Sequence, residues 1–167
     1  MTRHIFSGRI AAETTRMRFV KETLIKATPE KVFAFHELPD ALARLMPPWE
    51  NTEIVQAAPS LKVGSRTIID ATVLGPIKAR WVAEHTAYDP PRMFEDKQLK
   101  GPFKTWRHRH SVLLDEQGAI LRDEIEYEPP FRPFGRLVAL IFIIPRLERL
   151  FAYRHNVTKD WAEKGDE

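Results

Sequence analysis

Between residues 94 and 128 the chain alternates with a period of two, and the alternation puts ionisable groups where a core would be expected. In the run Phe103 to Leu114, Trp106, His108 and His110 fall on one face of an extended strand, with Arg107 and Arg109 on the other. The run Ala119 to Glu128 repeats the pattern. Leu121, Asp123, Ile125 and Tyr127 share one face, and Arg122, Glu124, Glu126 and Glu128 share the other, which is plainly the solvent side. Asp115-Glu-Gln-Gly118 separates the two runs as a short hairpin loop ending in glycine. Symmetric pairing about this loop sets Arg109 opposite Glu124 and Arg107 opposite Glu126, a charge match that supports the register. The same register places His110 opposite Asp123, His108 opposite Ile125 and Trp106 opposite Tyr127 on the inner face.

The preceding run, Arg92 to Leu99, ends at Gly101-Pro102 and turns Phe94, Asp96 and Gln98 to that same inner face. Asp96 then lies near Trp106 or His108, depending on the turn. A further run, Ile77 to Ala87, has Ile77, Ala79, Trp81, Ala83 and His85 on one side, and its small alanines leave room there. Aromatic and small side chains mixed with a few convergent polar groups make the composition of a small-molecule pocket rather than of a packed core.

Elsewhere the pattern predicts strands over Phe19 to Ala27, Thr52 to Ala58 and Ser65 to Leu74. Thr28-Pro29-Glu30 gives an N-cap, a first-turn proline and a first-turn acid, so a short helix starts there; Pro39-Asp40 starts a second, which Pro47-Pro48 stops. From Gly135 to Lys164 the period becomes helical, with Leu140, Ile144, Leu147, Phe151 and Arg154 three and four apart and Pro145 expected to kink or divide the helix. Leu137 to Ile144 is apolar all round. A sheet covers only part of such a segment, so a homodimer contact or a lipophilic ligand is expected to cover the rest; the less favoured cover is a membrane surface, which would make this a membrane-peripheral lipid-handling protein.

At 167 residues the chain is long enough for one domain with a real core. Residues 1–18 read as a flexible polar leader without the apolar centre of a secretory signal, and residues 19–164 as a single domain. The net charge of +3 is scattered among acids, which argues against nucleic-acid binding. The absence of cysteine excludes thiol and disulfide chemistry and fits a cytoplasmic setting. Leu137 to Ile144 is well short of the roughly 20 residues that span a bilayer.

Val32-Phe33-Ala34-Phe35-His36, Pro47-Pro48-Trp49, the series Phe94, Asp96, Gln98, Gly101-Pro102-Phe103, Trp106, His108, His110, and then Asp123, Tyr127 and Pro130 resemble the bacterial polyketide cyclase-like ligand-binding proteins of the START/Bet v 1-like (SRPBCC) superfamily. The resemblance covers roughly residues 19–164. It implies an α+β helix-grip fold: a curved seven-stranded antiparallel sheet wrapped on a long C-terminal helix, with two short helices after the first strand and a cavity between sheet and long helix. It settles no substrate.

Two readings of the inner face follow. In the first, Phe94, Trp106 and Tyr127 give contact area to a small, largely apolar ligand of lipid, polyketide or aromatic type, which Asp96, Gln98, His108, His110 and Asp123 orient. In the second, the protein is a cyclase or dehydratase-type enzyme in which His110 with Asp123, or His108, moves a proton. His36 and His85 are left out of that list, and Trp49 is read as a plug packing its loop onto the sheet. No cofactor or metal is expected, because two histidines at i and i+2 are not a diagnostic metal spacing.

Overall fold

A computed structural model describes residues 16–74, 77–129 and 134–164. Seven antiparallel strands form one sheet in the order β1-β7-β6-β5-β4-β3-β2. They are β1 (Met17–Ile25), β2 (Thr52–Gln56), β3 (Arg66–Leu74), β4 (Ile77–Asp89), β5 (Met93–Lys100), β6 (Thr105–Asp115) and β7 (Gly118–Glu128). Two short helices, α1 (Pro29–Glu37) and α2 (Ala41–Arg44), follow β1; after β7 come α3 (Gly135–Val138) and the long α4 (Ile144–Glu163). The architecture is the helix-grip fold. Most of the leader lies outside the described residues, and β1 starts at Met17, two residues before the pattern placed it.

The hairpin register is the one that charge pairing dictates. Arg109 pairs with Glu124, His110 with Asp123, His108 with Ile125 and Trp106 with Tyr127 across β6 and β7. Gly118 closes the loop at φ +143°, and a Cβ there would run into the Ile25 carbonyl of the neighbouring strand, so glycine is required. On the outer face Arg107 reaches Glu126 at 2.9 Å, as expected. Arg109 turns instead to Glu95 on β5, at 2.9 Å. Glu124 is already engaged by Arg18 and Arg122, which leaves Glu95 as the better carboxylate for Arg109.

Thr28 caps α1 by accepting from the Lys31 amide, and Pro29 occupies the first turn. α1 drives Phe33 against Phe94 of β5, with ring centroids 5.9 Å apart. α4 lies along β1: Phe151 packs on Phe19 at 5.5 Å, and Lys159 donates to the Leu24 carbonyl. Pro145 has no N–H to give the carbonyl four residues back, and the chain accommodates it with a single π-turn, Ala139–Ile143, in which the Ile144 amide reaches the Ala139 carbonyl. The expected discontinuity is there, in the form of a widened turn. Leu137, Leu140, Ile141 and Phe142 remain exposed, and Val138, Phe142 and Ile143 border the space between helix and sheet. Among the described residues no helix is long and apolar enough to cross a membrane. Trp49 packs against α4 rather than the sheet, edge-on to Tyr153 and beneath the Arg149 guanidinium.

Candidate functional site

The sheet and α4 enclose a cavity of about 350 Å³, within the range of small-molecule sites. Two features of the sequence leave this space open. Ala71 and Ala83 face it where larger side chains would fill it, and β-bulges at Thr86 in β4 and at Leu99 in β5, opposite Val82 and Ala83, bend the strands around it. Trp81 and Trp106, at 4.9 Å and nearly perpendicular, form an aromatic wall together with Phe103. Ile77, expected on this wall, is exposed, and Ala79 is not among the residues that line the cavity.

Five of the eight residues singled out from the pattern line the cavity: Phe94, Asp96, Trp106, His108 and His110. Asp123 stands behind the two histidines, beside a second space of about 20 Å³. Gln98 bonds both polar groups of the Phe103 backbone, with its amide donating to the carbonyl at 2.7 Å, and so builds the β5–β6 turn. Tyr127 is buried beneath Trp106 and Phe103, and among the described residues its hydroxyl has no partner.

The polar cluster is larger than a His and Asp pair. Asp123 Oδ1 is 2.8 Å from His108 Nε2 in a hydrogen bond and 2.6 Å from His110 Nδ1. The His110 contact is out of line for a hydrogen bond and acts chiefly through charge. Asp123 Oδ2 takes a third imidazole, His155 Nε2, at 2.6 Å, and the other nitrogen of His155 meets Thr23 Oγ1 at 2.8 Å. His155 comes from α4 and escaped the sequence reading, since a lone histidine on a helix gives no period-two signal. Its place in the series Leu147, Phe151, His155, four apart on the buried face, was the available clue.

The histidines are driven in opposite directions. Burial opposes charge on His36 and His110 alike, but Asp123 and Asp96 overcome it at His110 and raise it to about 9. Burial wins at His36, whose Nδ1 faces the Val32 carbonyl, and lowers it to about 4, with the nearby His110 adding to the effect. Asp123 is held well below the usual carboxylate range, because the charge of His110 and the bonds from His108 and His155 outweigh its burial. Stability follows from these signs. The His110 contribution is fully present below about pH 6.5 and is lost as pH rises through about 9. His36 works against the fold as pH falls from 6.5 towards 4. Unfolding free energy from denaturant titrations should therefore peak near pH 6.5, falling on either side with slopes approaching about 1.4 kcal/mol per pH unit. A curve flat from pH 5 to 9 would contradict these assignments.

Arg154 is the other residue that the period-two reading missed. Its guanidinium faces the cavity, donating from Nε to the Leu45 carbonyl at 3.2 Å and from Nη2 to Met46 Sδ at 3.9 Å. Among the described residues no carboxylate lies within 4.0 Å of it; Asp123, Asp96 and Glu50 favour its charge only through space, and burial lowers it. The neighbouring Arg146, by contrast, is tied to Glu50 and to the Thr72 carbonyl.

A family described as polyketide cyclase / dehydrase and lipid transport matches residues 25–151. No curated protein matches the chain in sequence. Among solved structures, protein TTHA0849 of Thermus thermophilus superposes with a TM-score of 0.64 at 18% identity, over 88% of this chain and 96% of its own. The di-domain ARO/CYC protein BexL from the BE-7585A biosynthetic pathway gives 0.68 at 16%, over 91% of this chain and 52% of its own. A norcoclaurine synthase of Thalictrum flavum, in complex with a transition-state analogue, gives 0.65 at 13%, over 88% and 94%. At these identities the likeness is one of fold.

Proposed function

Because the chain belongs to the polyketide cyclase / dehydrase and lipid transport family, we propose that it binds one small, largely apolar molecule between the sheet and α4. The observation that carries this reading is the cavity itself, about 350 Å³, walled by Trp81, Phe103, Trp106 and Phe151, with Asp96, His108, His110 and Arg154 among its polar lining. A core destined only for packing would leave no such space, since protein interiors approach crystal density. Phe94 and Trp106 supply contact area; Asp96, His108 and His110 meet the ligand's polar group, and Asp123 orients the two histidines from behind.

Arg154 narrows the ligand class. A desolvated guanidinium without a carboxylate partner is stabilised by an anion delivered with the ligand, so an apolar acid fits better than the matching alcohol. Two naphthalene probes of equal size, a carboxylate and a methanol, test this through quenching of Trp81 and Trp106. The acid should bind at least about tenfold more tightly, a difference of about 1.4 kcal/mol, and Arg154→Met should abolish the preference. Equal affinities would remove the acid from the proposal, and failure of both probes to bind would remove the binding reading.

A second reading, catalysis, is favoured by a specific feature: His110, held cationic, faces the cavity with a carboxylate behind it. Such a group can donate a proton to a bound carbonyl, as cyclisation or dehydration requires.

A further inference from the structure

We propose that Asp96, His108 and His110 form a site for a divalent transition metal whose remaining coordination positions open into the cavity. The proposal goes beyond ligand binding and does not rest on it.

The first observation is a gap of the right size. One ring nitrogen of each histidine and one carboxylate oxygen of Asp96 all lie within 4.8 Å of one another. His108 Nδ1 and His110 Nε2 stand 3.7 and 3.8 Å from the same oxygen, Asp96 Oδ2. Both distances are beyond hydrogen-bond reach, and Asp96 Oδ2 faces the two rings at the edge of the cavity. Donors about 2.1 Å from a tetrahedral zinc sit about 3.4 Å apart, so the two histidine-to-Asp96 edges are a few tenths of an ångström too long and the edge between the rings closes by rotation about their side-chain torsions.

The second observation is the setting of the two rings. The far nitrogen of each faces the same carboxylate, Asp123, at 2.8 Å for His108 and 2.6 Å for His110, and His155 holds Asp123 from the other side at 2.6 Å. A carboxylate behind an imidazole fixes its N–H on that side and turns the lone pair to the other, the usual arrangement behind a metal-bound histidine. Here His108 Nδ1 and His110 Nε2 are both turned towards Asp96, and a divalent ion would take the place of the His110 proton between them.

The third is mounting and access. Asp96 and His108 are cross-strand partners on β5 and β6, and His110 is the next inward residue along β6, so the sheet ladder fixes their spacing. All three also line the cavity. Two nitrogens and one oxygen with open positions form a site of catalytic rather than structural type, suited to zinc, cobalt, nickel or ferrous iron and poorly suited to calcium or magnesium.

The test is a titration of the full-length protein, stripped with chelator and dialysed, with cobalt(II) alone. Visible d–d absorption and calorimetry should show saturable 1:1 binding at micromolar cobalt, reversed by zinc. Asp96→Asn keeps the shape of the side chain and His110→Gln keeps its polarity. Each should weaken cobalt binding at least about tenfold, with melting curves run on each variant to establish folding. Should one variant fail to fold, the other together with the wild-type absorption decides. No saturable binding up to millimolar cobalt, or binding undiminished in a folded variant, overturns the proposal and leaves a shared proton or a water in the triangle.

Discussion

Asp123→Ala should be among the most damaging single substitutions in this protein. The change removes the acceptor from two buried imidazoles, those of His108 and His155, and leaves the charge of His110 without its nearest counterion. Breaking a buried ionic network by deleting one member costs about 3–5 kcal/mol, which in a chain of this size lowers the melting temperature by about 10 °C. Asp123→Asn keeps the shape and one acceptor oxygen and should lose clearly less. For an isolated His110 and Asp123 pair, the double change to leucine would be nearly neutral, because an apolar substitute for a buried pair often is. The network alters that expectation. With Asp123 gone, His108 Nε2 and His155 Nε2 still face an apolar side chain, so the double variant should remain destabilised. Thermal unfolding of the three variants, compared with wild type, checks the series. A double variant as stable as wild type would show that His155 contributes little.

Much of this site was legible in the sequence because one physical constraint propagates far along it. A strand's side chains alternate strictly, so once the Arg and Glu matches placed Arg107 and Arg109 outside, Trp106, His108 and His110 had to be inside, opposite Tyr127, Ile125 and Asp123. The β5 partner was narrowed but not fixed. Whether Asp96 meets Trp106 or His108 depends on the turn around Gly101, and the structure pairs it with His108. Gln98 shows the limit of the parity argument. It has the expected facing, yet its amide is consumed in holding the Phe103 backbone. His155 and Arg154 were out of reach for another reason. They enter from α4, and the angular position of a helix over a sheet is set by packing between Phe19, Phe151 and Leu147, which no local pattern encodes. Arg109 marks a further limit: its strand register was readable, but its choice of Glu95 over Glu124 depended on Arg18 and Arg122 competing for the latter.

Filling the cavity should have the largest effect on binding. Ala83 faces it from β4, beside Trp81 and across from α4, and Ala83→Trp places an indole in open space rather than in packed core. Overpacking a filled core costs about 1–3 kcal/mol; here the space is already present, so the fold should persist with a similar melting temperature. Affinity for the naphthalene carboxylate should fall about a hundredfold, a loss of about 2.7 kcal/mol.

A calorimetric titration of the naphthalene carboxylate into wild-type protein and the Ala83→Trp variant, side by side, measures directly whether the cavity binds. A cavity that binds one apolar acid predicts saturable 1:1 binding with a negative heat-capacity change in the wild type and almost none in the variant. Equal binding by the two proteins, or no saturable binding by either, would contradict it.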